Sequence, residues 1–213
     1  MTGLPGLALT SHKNQIANKS IYQMKQLLSL FVVVASAAFL TGCGTTSNLK
    51  PVAGADIKSI QKYNKVSVLD FGDKTGTHTD ESPQRVQEQG RHFADMIALE
   101  LEKTKSFDKV IRATAAEPGS MLISGDITRC NEGSASLRLW IGMGAGSSYF
   151  DATVNFSDAD TAQKLGEILV DKNSWGLGGG IASNQTVDSF EQGAAKTIAE
   201  QVAKAKTDAM AGK

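Results

Sequence analysis

The stretch from Leu27 to Leu40 is almost entirely apolar and ends in Leu40-Thr41-Gly42-Cys43. It is shorter than the roughly twenty apolar residues of a spanning helix and has the length of a signal-peptide core. Lys25 supplies the positive charge that precedes such a core. The ending matches a bacterial lipobox. A branched residue and two small ones let a peptidase grip an extended backbone, and the cysteine thiolate then accepts a diacylglycerol group. A spanning anchor, or a plain leader with a chance cysteine, would be the competing readings. The lipobox predicts a leader over 24–42, with Leu40, Thr41 and Gly42 as its cleavage motif and Cys43 as the lipid attachment point. Residues 1–23 lack apolar periodicity, so Met24 is the expected start and the preceding segment an upstream extension.

Several acyl chains on one cysteine would hold the chain firmly, where a single chain binds only marginally. Gly44, rather than an aspartate, follows Cys43. By similarity to enterobacterial sorting rules this favours the inner leaflet of the outer membrane, facing the periplasm. Lys+Arg and Asp+Glu are 22 each, and the segment ahead of Cys43 holds Lys13, Lys19 and Lys25, which would be absent from the mature chain. The remaining slight acidic excess, without a basic stripe, argues against nucleic-acid binding through phosphate contacts. Acylation of Cys43 would leave Cys130 without a partner in the chain. It would then be a buried inert thiol or half of an intermolecular bridge.

Residues 43–64 read as the lipidated start and a tether, since 44–55 are too rich in Gly, Thr, Ser and Asn to pack. A single α+β domain is expected over 65–209, with a short tail over 210–213. Lys65–Phe71 reads as a central strand, apolar on both faces. Ser82-Pro83 opens a helix to about Lys105, with Val86, Phe93, Ile97, Leu101 and Thr104 on one face. Phe107–Arg112 is a short strand, making a parallel crossover with the first. Met121–Cys130, Leu137–Ile141, Ser148–Ser157 and Lys164–Asn173 read as further strands. In the third of these Phe150, Ala152, Val154 and Phe156 alternate inward. Asp158–Ala162 is turn chemistry. A last helix is expected over 188–209, with Asp188 and Glu191 as a capping box and Phe190, Ala194, Ile198 and Val202 as its buried stripe. The β-α-β-β-β-β-α order predicts one mixed sheet of about five to six strands with two helices packed on it.

Few residues suggest chemistry. Gly142, Gly144 and Gly146 are spaced G-x-G-x-G between two strands, so no helix N-terminus faces an anion as in a nucleotide loop. The glycines at 176–180 lack the Lys-Ser/Thr pair of a phosphate loop. His78, His92 and Cys130 stand at no metal-ligand spacing. His78 with Asp73 and Asp80 reads as a solvated loop, and Asp158 with Asp160 lacks the rest of a calcium loop. No nucleophile elbow is present. Carboxylates are plentiful, but nothing singles out a hydrolytic pair. The expectation is no catalytic residue, no metal and no cofactor.

Three segments carry a resemblance: Leu122–Arg129, Ala135–Phe150 and Leu169–Gly179. Together they are similar to a family of bacterial lipoproteins catalogued as a domain of unknown function (number forty-four ten), over roughly Lys65 to Ala205. Cys130 departs from the polar or aromatic residue expected there. That family carries no established activity, so the resemblance implies no catalytic residues. Val66–Phe71 and Lys105–Val110 also resemble, in architecture only, the amino-terminal domain of TolB, the curli secretion lipoprotein and activators of peptidoglycan synthases. The leading expectation is a non-enzymatic envelope lipoprotein that binds an envelope protein or peptidoglycan. An alternative is an oligomeric component of a secretion or assembly machine. Its subunit contacts would come from Gly142, Gly144 and Gly146 with the aromatics Trp140, Tyr149, Phe150 and Trp175; core packing is the rival reading for those aromatics. A small-ligand binder or hydrolase using the loop at 72–80 is a third.

Overall fold

Three long antiparallel strands form the centre of the fold: β6 (Met121–Asn131), β7 (Tyr149–Asp158) and β8 (Lys164–Asn173). In β7 every second residue is buried, with Phe150, Ala152, Val154 and Phe156 turned to the core. The computed structural model describes residues 43–52, 57–141, 145–174 and 185–208. The expected leader and the tail at 210–213 lie outside them. Ile127 and Cys130 of β6 are both buried although three residues apart, which strict alternation forbids. A register shift between Ile127 and Arg129 resolves this, because one extra residue restores the inward phase for Cys130.

Beside β6 lies β3 (Lys65–Val68), parallel to it and to β5 (Lys109–Arg112). The sheet runs β1-β8-β7-β6-β3-β5, with β1 spanning Cys43–Thr46. Two short strands lie off this path: β2 (Lys50–Pro51) pairs with β8, and β4 (Gly72–Asp73) pairs with β6. The structure is therefore α+β with one mixed sheet, as the sequence predicts. Two details differ from the expectation. The first strand stops at Val68 and resumes as β4, and the strand after the first long helix begins at Lys109 rather than Phe107.

That first long helix, α1 (Pro83–Thr104), starts where Ser82 Oγ accepts the Arg85 N–H, with Pro83 at a position needing no donor. It ends at Lys105, in the left-handed region at φ 55°. Its apolar face sinks Phe93 between two other rings. Phe71 lies 4.9 Å away and Phe150 5.0 Å, the latter edge-on. Such aromatic pairs add to simple area burial. The helix approaches closely because residue 90 is glycine; a Cβ there would lie 2.5 Å from the Phe71 carbonyl oxygen. The second long helix, α3 (Val187–Asp208), buries Phe190, Ala194, Ile198 and Val202 as the stripe predicts. Together α1 and α3 pack on each other and on one face of the sheet.

Three expectations are overturned. Leu137–Ile141 is not a strand: a short helix α2 (Ala135–Trp140) occupies it, capped by Ser134, whose Oγ accepts the Leu137 N–H. The tether does pack. Cys43 pairs with Asn173 and Thr46 with Val170, while Leu49 rests against the core. Backbone ladders ignore side-chain polarity, and the outer edge of β8 offers a row of groups that need partners. Gln201 of α3 locks the segment from the other side, accepting the Leu49 N–H at 2.5 Å and donating to the Ser47 carbonyl at 2.9 Å. Finally, Asp188 and Glu191 are not the capping box. Thr186 and Ser189 are, each backbone N–H bonded to the other's hydroxyl.

The turn at Asp158 also does more than reverse the chain. Its carboxylate accepts from Tyr63 Oη at 2.5 Å, Lys62 Nζ at 3.1 Å and the Asp160 and Thr161 N–H groups. Tyr63 chiefly, then the Thr161 N–H and Lys62, hold this carboxyl well below the usual carboxylate range. A depressed folded-state pKa gives stability that is present above the unfolded value and lost as pH falls through about 4 toward the folded one. Acid-denaturation curves of the Asp158→Asn variant should accordingly show a shallower loss of stability below pH ~4 than the parent protein. Phe93→Ala should cost about 3–5 kcal/mol, read as a lower urea midpoint at unchanged slope.

Candidate functional site

One row of residues crosses the end of the sheet. Cys43 of β1 stands opposite Asn173 of β8, Asn173 opposite Tyr149 of β7, and Tyr149 opposite Asn131 of β6. The expected lipid attachment point is thus the first residue of an edge strand. Beyond Asn131 the chain enters α2 and returns through 145–148 into β7. This return is tightly built. The Ser134 N–H donates to the Gly146 carbonyl at 2.9 Å, and Gly146 sits at φ 69°, where a Cβ would lie 2.7 Å from that of Leu137. Ser148 is fully buried and its hydroxyl is hydrogen-bonded to the Glu132 and Gln185 carbonyls at 2.5 and 3.1 Å.

The predicted site residues scatter over this end. Trp140 stands almost wholly in solvent, 84% exposed, with Ile141 at 62% and Leu137 at 44%. Tyr149 is half-buried beneath the Arg129 guanidinium, 3.5 Å from its ring centre. Phe150 is a core residue, fully buried against Phe93, and is not part of any surface. Gly146 shapes the return of the chain. Leu40, Thr41, Gly42, Gly142, Gly144 and Trp175 lie outside the described residues.

Beneath the same end, α1 and α3 enclose a polar cluster that sequence reasoning missed. Glu191 is fully buried, and one of its carboxyl oxygens lies 2.5 Å from His92 Nδ1. The Gln89 amide, oriented with its NH₂ toward Glu191, reaches the other oxygen at 2.9 Å and passes the contact on to Arg85. Burial, then the nearby Asp188 charge, push the Glu191 carboxyl up to about 9. The short contact ties the two helices together through a pair of titratable groups. Donor atoms of His92, Asp188 and Glu191 also lie within 4.8 Å of one another, within the compass of a small cation. The expectation that His92 stands at no ligand spacing holds for the sequence but not in space. Spacing three along α3 puts Asp188 and Glu191 on one face, and only tertiary packing adds His92.

Cys130 lies close to this cluster, buried, its thiol pushed up to about 12 chiefly by burial and then by Glu191. That makes it the inert buried thiol of the two sequence readings. Native protein should leave Cys130 unmodified by a disulfide exchange reagent at pH 8 and release it only on denaturation; rapid stoichiometric labelling of the native fold would contradict this.

On the outer side of the sheet, Thr77, His78, Asp80, Thr128, Arg129, Asn131 and Asp151 line an open cleft of about 620 Å³. Burial, and then Asp171 on the adjacent strand, push the Asp151 carboxyl up to about 6. Of the expected loop trio, His78 and Asp80 line this cleft, whereas Asp73 turns back to hydrogen-bond Thr75.

The class of protein is thus a two-layer α+β domain whose sheet edge begins at the expected anchor. The chain belongs to the family described as "Domain of unknown function (DUF4410)", whose model matches residues 50–178. Among solved structures the fold is similar to that of the PelC dodecamer from Paraburkholderia phytofirmans. The identity is 14%, with 75% of this chain and 96% of that one covered and a TM-score of 0.50. A point variant of the same dodecamer matches at 15% identity with the same coverage and TM-score. Protein XCC0632 from Xanthomonas campestris, of the DUF330 family, is 11% identical over 79% of this chain and 95% of its own, at a TM-score of 0.42. No curated protein matches the chain.

Proposed function

We propose that this chain is a non-enzymatic, lipid-anchored subunit of a homo-oligomeric assembly in the bacterial envelope, of the kind that exports or assembles polymers. It is acylated on Cys43 and seated on the periplasm-facing leaflet of the outer membrane. The observation that carries this reading is the pairing of β1 with β8 from Cys43 onward. An anchor fused to the sheet holds every copy at one height and one tilt. Copies so confined meet in two dimensions at raised effective concentration, and a head-to-tail contact that repeats by rotation closes into a ring. The fold shared with a protein that forms a dodecamer supports the same use of this domain.

What supports leaving catalysis out is the state of the reactive groups. The Cys130 thiol is buried and raised, and the Glu191 carboxyl bridges two helices through His92 and Gln89. The reading of a partner-binding scaffold for an envelope protein or peptidoglycan remains compatible with the open cleft at His78 and Asp151.

Analytical ultracentrifugation decides the matter, run on the lipidated protein in detergent and on the chain from Gly44 onward. The proposal expects a discrete species of many copies for the lipidated protein, with assembly of the lipid-free chain at high concentration. A monomer in both preparations would exclude it.

A further inference from the structure

An exposed tryptophan beside two exposed aliphatic residues is an unusual surface for a small domain. Leu137, Trp140 and Ile141 form such a patch on and just after α2. Its place in the fold says what it faces. Helix α2 follows β6 at Asn131, and Asn131, Tyr149, Asn173 and Cys43 stand in one register row across four neighbouring strands. Strands lie about 4.8 Å apart, so Cys43 is only some 14 Å from Asn131 along that row. The hydrogen bond from the Ser134 N–H to Gly146 and the packing of Leu137 near Gly146 keep α2 at this end. The lipid-bearing residue and the apolar patch therefore share one end of the sheet.

We propose that this end lies on the bilayer surface and that Leu137, Trp140 and Ile141 insert into its interfacial layer beside the acyl chains of Cys43. The chemistry suits such a layer. Tryptophan is favoured where one part of the ring is apolar and the indole N–H stays wet, and flanking aliphatic side chains add buried area. Three acidic groups at this end are hydrogen-bonded within the protein, the exposed Asp80 accepting from the Asn131 amide at 2.8 Å. Glu81 accepts the Glu132 N–H at 3.0 Å, and Glu132 accepts the Val187 N–H at 3.1 Å. Leu137, Trp140 and Ile141 carry no charge themselves, so a zwitterionic headgroup layer suffices to receive them. The insertion rests on the lipid anchoring proposed above. A second copy of the chain is the other surface that could cover the patch.

Trp140 and Trp175 are the two tryptophans of the chain, so a Trp175→Phe variant reports on Trp140 alone. The lipidated variant is reconstituted into phosphatidylethanolamine-rich vesicles with and without lipid brominated near the headgroup end of its acyl chains. Insertion predicts a blue-shifted Trp140 emission that brominated lipid quenches and aqueous acrylamide does not. Emission at the solvent-exposed wavelength, quenched by acrylamide alone, would overturn the proposal. So would a blue shift without bromolipid quenching, which marks a contact between copies. Mass spectrometry of the N-terminus separates the two readings. If Cys43 is unmodified, anchoring fails, and co-sedimentation of the unlipidated chain with the same vesicles still judges the patch. There, Trp140→Ser should lose on the order of tenfold in partitioning, and an unchanged partition would count against insertion.

Discussion

The ladder between β1 and β8 is the constraint on which the rest of the arrangement depends. It pairs Cys43 with Asn173 and carries on through Thr46 opposite Val170. A lipidated chain with a flexible tether could turn any face to the membrane. A chain whose anchor is already a strand residue can present only one. With Cys43 acylated as proposed, that single orientation would put α2 near the lipid and leave the sheet to project from it. The side chains of α3 reinforce the ladder, since Gln201 grips the segment between β1 and β2 by both its amide groups.

Above this base the core is conventional in kind and specific in detail. Phe93 of α1 joins Phe71, after β3, to Phe150 of β7, so one ring couples the crossover half of the sheet to the meander half. Gly90 allows α1 to approach closely enough for that contact. At the other end of the sheet the Asp158 carboxylate collects Tyr63, Lys62 and two backbone donors, tying the β7–β8 turn to the segment before β3.

What was legible in the sequence is what local physics decides. The period-two pattern of β7, the Ser82-Pro83 start of α1 and the apolar stripe of α3 each depend on residues a few positions apart. The failures have a common origin in tertiary context. Leu137, Leu139 and Ile141 alternate as a strand would, yet the Ser134 cap and the turn at Gly146 make a helix that keeps Leu137 and Ile141 outside. The polar segment after Cys43 looked unable to pack because its side chains say nothing about an open strand edge elsewhere. Asp188 and Glu191 have the spacing of a capping box, but the same spacing also sets two carboxyls on one helix face, and only His92 from α1 shows which use applies. Of the candidate interface aromatics among the described residues, Phe150 is core, as its own strand alternation required, and Trp140 is exposed.

The central claim is that the anchor is part of the sheet and not a leash. Hydrogen–deuterium exchange on the lipidated protein in vesicles addresses it directly, followed in the peptide that spans Gly44 to Pro51. The account predicts slow exchange there, protected to a degree comparable with the adjoining edge of β8. Exchange at the rate of an unstructured peptide would contradict it.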